Sequence, residues 1–99
     1  MTIGGLMDNE LMLIRSVLSR HPDITRAVLF GSRAKGTAQH ASDIDLALDG
    51  ITSPMQAEAI ARELDDLPLP YHFDVQALTA IQHRPLLEHI ARVGIRIDA

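Results

Sequence analysis

The chain predicts an α/β (α+β) domain: a small mixed β-sheet of about three to four strands flanked by about three to four helices. Three observations carry that expectation. Residues 43–49 and 71–77 alternate polar and apolar side chains with the two-residue period of a strand. Residues 27–30 form a short, wholly apolar run that stops at Gly31-Ser32. Three further segments space their apolar residues as helices do, each with a start or stop signal at its end.

The elements follow in order. Met7, Leu11, Ile14 and Leu18 recur at helical spacing, widened by Leu6, Leu13 and Val17, with Asp8 as the expected N-cap and His21-Pro22 as the stop. Ala27, Val28, Leu29 and Phe30 read as a buried strand. In the next strand Ile44, Leu46 and Leu48 share one face, and Asp43, Asp45, Ala47 and Asp49 the other. Ser53, Pro54 and Gln56 supply an N-cap, a proline at the first helical position and a capping-box partner. The helix they open is expected to run to about Leu67, with Ile60, Leu64 and Leu67 inward and Pro68 ending it. Tyr71, Phe73 and Val75 face one way, and His72, Asp74 and Gln76 the other. Pro85 would break a helix passing through it, so a turn is expected over 79–82, then a helix over 85–93 with Gly94 as its C-cap. Ile95, Arg96 and Ile97 suit an edge strand.

Length and composition bound the function. Ninety-nine residues suit one domain, 1–99, with room for a single core. Hydrophobic residues make up 46% of the chain, and no apolar run approaches the roughly 20 residues of a membrane span. No secretory signal is visible, and a cytoplasmic location is expected. The absence of cysteine excludes disulfides and thiolate metal sites. Nine basic residues stand against 13 acidic ones, and Lys35 is the sole lysine. That balance disfavours a polynucleotide ligand, whose binding depends on phosphate contacts, and suits a small phosphorylated one.

The candidate chemistry sits between residues 31 and 45. A glycine straight after a strand lets backbone approach a ligand closely, and free amides there favour an anion. Ser32 adds a hydroxyl, and Arg33 and Lys35 add positive charge. Taken alone, this reads first as an ordinary strand-to-helix turn with exposed basic residues, since such turns are common. Asp43 and Asp45, two apart in a strand, point to one face with backbones roughly 6–7 Å apart. Such a pair can converge on one hard cation, since Mg²⁺ takes one or two carboxylates plus substrate phosphates. A solvated polar face is the competing reading. Asp74 lies on the polar face of another strand and would add a third carboxylate if the two strands are neighbours. It would then complete a two-metal site and receive the proton of an attacking hydroxyl.

Gly31-Ser32-x-Ala34-x-Gly36, followed by Ser42-Asp43-x-Asp45-Leu46, resembles the signature of the DNA polymerase β-like nucleotidyltransferase superfamily. More narrowly it resembles the minimal nucleotidyltransferase (MNT) domains that serve as antitoxins in HEPN–MNT toxin–antitoxin modules. The resemblance implies the nucleotidyltransferase fold and a Mg²⁺-dependent enzyme, ATP as the donor of AMP, and a small helical HEPN-type protein as partner and acceptor. It implies that Asp43, Asp45 and Asp74 are the catalytic, metal-holding carboxylates for two Mg²⁺ ions. Gly31, Ser32, Arg33, Lys35 and Ser42 would bind the nucleotide. Two other functions compete: a non-catalytic antitoxin that works by contact, and a small-molecule (antibiotic) nucleotidyltransferase. Three further residues carry bland expectations: His21 as a helix-end contact, His40 as a solvated loop residue, and Tyr71 as a core ring at a strand start.

Overall fold

The structure, a computed structural model, describes residues 3–36 and 43–98. Ser42 and His40 lie outside the described residues. The helices are α1 (Asp8–Leu18), α2 (Ser32–Lys35), α3 (Pro54–Asp65) and α4 (Arg84–Val93). The strands are β1 (Arg26–Phe30), β2 (Ile44–Asp49), β3 (Phe73–Ala77) and β4 (Ile95–Arg96), with a 3₁₀ turn at Leu78–Ala80. The sheet order is β3-β2-β1-β4. β1 runs antiparallel to β2 and β4, and β2 runs parallel to β3 through the α3 crossover. The mixed sheet and the helix number match the expected fold class.

Each face of the sheet buries a different set of residues. On one side, Leu29, Ile44, Leu46, Leu48 and Phe73 pack with Leu11, Ile14, Val17, Ile60 and Leu64 of α1 and α3 into the main core. On the other, Val28, Phe30 and Ala47 pack against Ile90 of α4. The side expected to be the polar face of β2 is therefore split. Ala47 is fully buried beneath α4, whereas Asp45, nearer the strand's start, stays half-buried at the rim.

Several boundaries shift for identifiable reasons. Met7, not Asp8, is the N-cap of α1, because the Glu10 carboxylate reaches back to accept the Met7 amide at 2.9 Å. Ser53 caps α3 as expected, its Oγ accepting the Gln56 amide at 3.4 Å. α3 stops at Asp65, before Leu67, and the Asp65 carboxylate accepts the Phe73 amide at 2.9 Å. Together with the Ile44 amide donating to the His72 carbonyl at 2.9 Å, this bond pins the start of β3 against β2. α4 begins one residue early, with His83 as its cap position. Gly94 ends α4 but not in the left-handed conformation, its φ being −58°. Glycine serves there because a Cβ would run into the Ile90 carbonyl and the Val28 side chain. His21 bonds across helices, its Nε2 lying 2.9 Å from Glu63 Oε2 on α3.

Candidate active site

Register brings the candidate residues together. Asp45 is the direct partner of Phe30 in the antiparallel pairing of β1 and β2. It is also the direct partner of Asp74 in the parallel pairing of β2 and β3. One carboxylate thus stands between the strand that ends in the Gly31-Ser32 turn and the strand that bears the third acid. Asp43 lies immediately before β2 and is exposed, as is Asp74.

The turn and the central carboxylate are in close contact. Gly31 has φ 76° and ψ −154°, a conformation reserved for glycine. A Cβ at Gly31 would collide with Asp45 Oδ2, so the carboxylate occupies the space a side chain would need. Ser32 opens α2 half-buried, and Lys35 closes it exposed to solvent.

The electrostatics identify a shared acidic site. Burial pushes the Asp45 carboxyl above its ordinary value, and the neighbouring charges of Asp74 and then Asp43 push it further. A protonated His89 would act in the opposite direction. Repulsion among three carboxylates is what a bound cation would relieve, so the donor set fits Mg²⁺ chemically: hard oxygen ligands with one position buried. Among the described residues, no group of three or more acidic or histidine side chains is gathered tightly enough to hold an ion.

Arg33 is placed differently from its neighbours in the motif. It is 3% exposed, donates to the Gly4 carbonyl at 3.0 Å, and lays its guanidinium over the Tyr71 ring, 4.6 Å from the centroid. Tyr71 lies in the main core, and its hydroxyl donates to Glu10 Oε2 at 2.9 Å. These contacts tie the underside of α2 to the N-terminal segment and α1. Tyr71 therefore packs as the strand phase implied.

One site residue escaped the sequence reading. His89, half-buried on α4, accepts the Gly31 amide on Nε2 at 3.0 Å. Its ring also meets Phe30 edge-on, with centroids 6.3 Å apart and planes at 79°. The signal available was its position: His89 follows Leu86 by three residues and precedes Ile90, so it is an imidazole within the sheet-facing stripe of α4.

Comparison with known proteins agrees with this geometry. The family model described as "Polymerase beta, Nucleotidyltransferase" matches residues 13–98. No curated protein matches the sequence significantly. Among solved structures, a toxin–antitoxin complex with AMP-PNP superposes with a TM-score of 0.73 at 22% identity, covering 93% of this chain and 73% of that one. The toxin–antitoxin MntA-HepT gives 0.70 at 19% identity, covering 92% and 71%. A tri-AMPylated Shewanella oneidensis HEPN toxin in complex with MNT antitoxin gives 0.62 at 18% identity, covering 88% and 71%. At these identities the superpositions establish the shared fold. Among the described residues, no helix is long and apolar enough to cross a membrane.

Proposed function

Since the chain belongs to the polymerase β nucleotidyltransferase family, we propose that it is a Mg²⁺-dependent nucleotidyltransferase that moves AMP from ATP onto a hydroxyl of a protein partner. The observation that carries this reading is the register match of Asp45 with Asp74 beside the Gly31 turn. It puts the acidic set directly against backbone with no side chain in the way. The partner proposed is a HEPN-type toxin, for which this chain is the antitoxin. Similarity in fold to complexes of HEPN toxin with MNT antitoxin supports that choice.

Asp43, Asp45 and Asp74 would hold Mg²⁺, which when bound would supply positive charge to offset that of the phosphates. The Gly31-Ser32 turn receives the triphosphate, with the Ser32 hydroxyl and the exposed Lys35 ammonium beside it; Ser42 is proposed to join them. Arg33 supports this turn from beneath, through Gly4 and Tyr71, rather than facing the phosphates. Asp74, exposed at the rim, takes the proton of the acceptor hydroxyl. That oxygen attacks the α-phosphorus, the bond to the β-phosphate oxygen breaks, and pyrophosphate leaves.

The test uses the chain co-purified with a HEPN-type partner, α-labelled ATP and Mg²⁺. Label is expected on the partner, and the Asp43→Asn/Asp45→Asn double variant should lose it while staying folded. Undiminished labelling by the double variant sinks the enzymatic reading. Full neutralisation of the toxin by that unlabelled variant would favour a contact-only antitoxin instead.

A further inference from the structure

The Gly31 amide is not free to meet a ligand. It donates to His89 Nε2 at 3.0 Å, across 58 residues of sequence. An amide can donate only to a bare ring nitrogen, so this bond requires the neutral imidazole with its proton on Nδ1. The ring is itself held in place. Its edge contact with Phe30 and the burial of the adjacent Ile90 against Val28 and Ala47 fix where α4 presents it.

Glycine gives the turn its required φ of 76°, but at an entropic disadvantage, because an unrestrained glycine samples many other conformations. Nothing on its own side chain can hold it. Two tertiary contacts limit it: the Asp45 carboxylate on one side and the His89 acceptor on the other. The carboxylate excludes conformations by contact, and the imidazole selects one peptide orientation by a directional bond.

We propose that His89 is a positioning residue for nucleotide binding: by accepting the Gly31 amide it fixes the orientation of the Gly31-Ser32 turn that receives the triphosphate. This rests on the assignment of that turn to the nucleotide. It makes α4 part of the binding apparatus, because the bond from the Gly31 amide to His89 ties this helix to the turn. It also removes the Gly31 amide from the set of phosphate donors. A merely structural histidine would fill the same space, so the acceptor itself is what the experiment must isolate.

Nitrogen-15 NMR of the ligand-free parent protein should show His89 with Nδ1 protonated and a coupling across the Gly31 amide to Nε2. A proton on Nε2 overturns the proposal. His89→Gln keeps an acceptor near the Nε2 position, and His89→Leu keeps bulk without one. The leucine variant should weaken Mg²⁺·AMP-PNP binding about fivefold to tenfold, the scale of one lost hydrogen bond, and speed hydrogen exchange at the Gly31 amide. The glutamine variant should recover most of both. Equal binding by parent and leucine variant, or a glutamine variant no better than leucine, overturns the proposal. Absence of analogue binding by the parent protein counts against the nucleotide reading itself. Gly31 exchange in the three proteins then still decides whether His89 fixes the turn, and unchanged exchange in the leucine variant overturns that.

Discussion

Asp45 and Asp74 are direct register partners on neighbouring parallel strands, with the Gly31 turn closing over Asp45 from the other side. This places a half-buried carboxylate at the meeting point of two strands and a turn. The same placement makes Asp45 costly to the fold: burial and the charges of Asp74 and Asp43 all oppose its ionisation.

Asp45→Asn should therefore separate stability from activity. The folded carboxyl titrates above its ordinary 3.8, so the native state holds that proton more tightly than the unfolded chain. Its contribution favours folding at low pH and is lost as pH rises from 3.8 through the folded value. At neutral pH the asparagine variant should gain about 0.5–1 kcal/mol in urea unfolding, a figure kept small because solvent reaches the site. Nucleotide transfer should fall on the order of 100-fold or more. A variant both less stable and fully active would contradict both roles.

Gly31→Ala should damage the turn directly. Its backbone would be held in a region costing about 1–3 kcal/mol for a residue with a Cβ, and that Cβ would displace the Asp45 carboxylate. Lower stability together with lost binding of Mg²⁺·AMP-PNP is expected from thermal melts and titration calorimetry. Parental affinity in this variant would show that the turn does not contact the nucleotide.

Arg33→Met should act on the fold. The variant loses the bond to the Gly4 carbonyl and the cation over Tyr71, an expected cost of about 2 kcal/mol in chemical denaturation. Analogue affinity measured where the variant is fully folded should stay close to the parent's. A large loss of affinity at parental stability would return Arg33 to the phosphate site.

Asp98 predicts an acid-sensitive edge. Its carboxylate accepts the buried Ala27 amide at 3.0 Å and pairs with Arg96 at 2.8 Å, extending the two-residue β4 along β1. The Arg96 guanidinium holds its carboxyl at about 2, below the ordinary 3.8. That contribution is present above pH 3.8 and is lost as pH falls toward 2. Asp98→Ala should cost about 1–3 kcal/mol at neutral pH by orphaning the Ala27 amide. Asp98→Asn, which keeps an acceptor, should lose less and flatten the acid limb of the stability profile. An unaltered acid limb in the asparagine variant would exclude this carboxylate as its source.

What could be read without coordinates was local. The two-residue period put Ile44, Leu46 and Leu48 inward, and Phe73 beneath them, because alternate side chains on a strand must face opposite ways. Ser53-Pro54 marked the start of α3 because capping is settled within one turn. One miss was itself local, since Glu10 moves the start of α1 by accepting the amide of Met7 three residues before it, whereas at Gly94 the distant Val28 side chain joins the Ile90 carbonyl in excluding a Cβ. The acidic pair and the glycine turn were legible as types and spacing, while the burial of Ala47 under α4 was not.

The sequence by itself determined the strand phases, the helix-forming stripes, and the Gly31-Ser32 and Asp43-Asp45 motif that marks the family, all consequences of chemistry within a few residues of each other. Only the tertiary structure decided that Asp74 stands opposite Asp45 rather than one residue away, that Arg33 turns inward over the Tyr71 ring, and that His89 takes the Gly31 amide. Those outcomes depend on strand register across a crossover and on which helix face meets the sheet. Both are chosen by packing between segments far apart in the chain, where no short spacing carries the information.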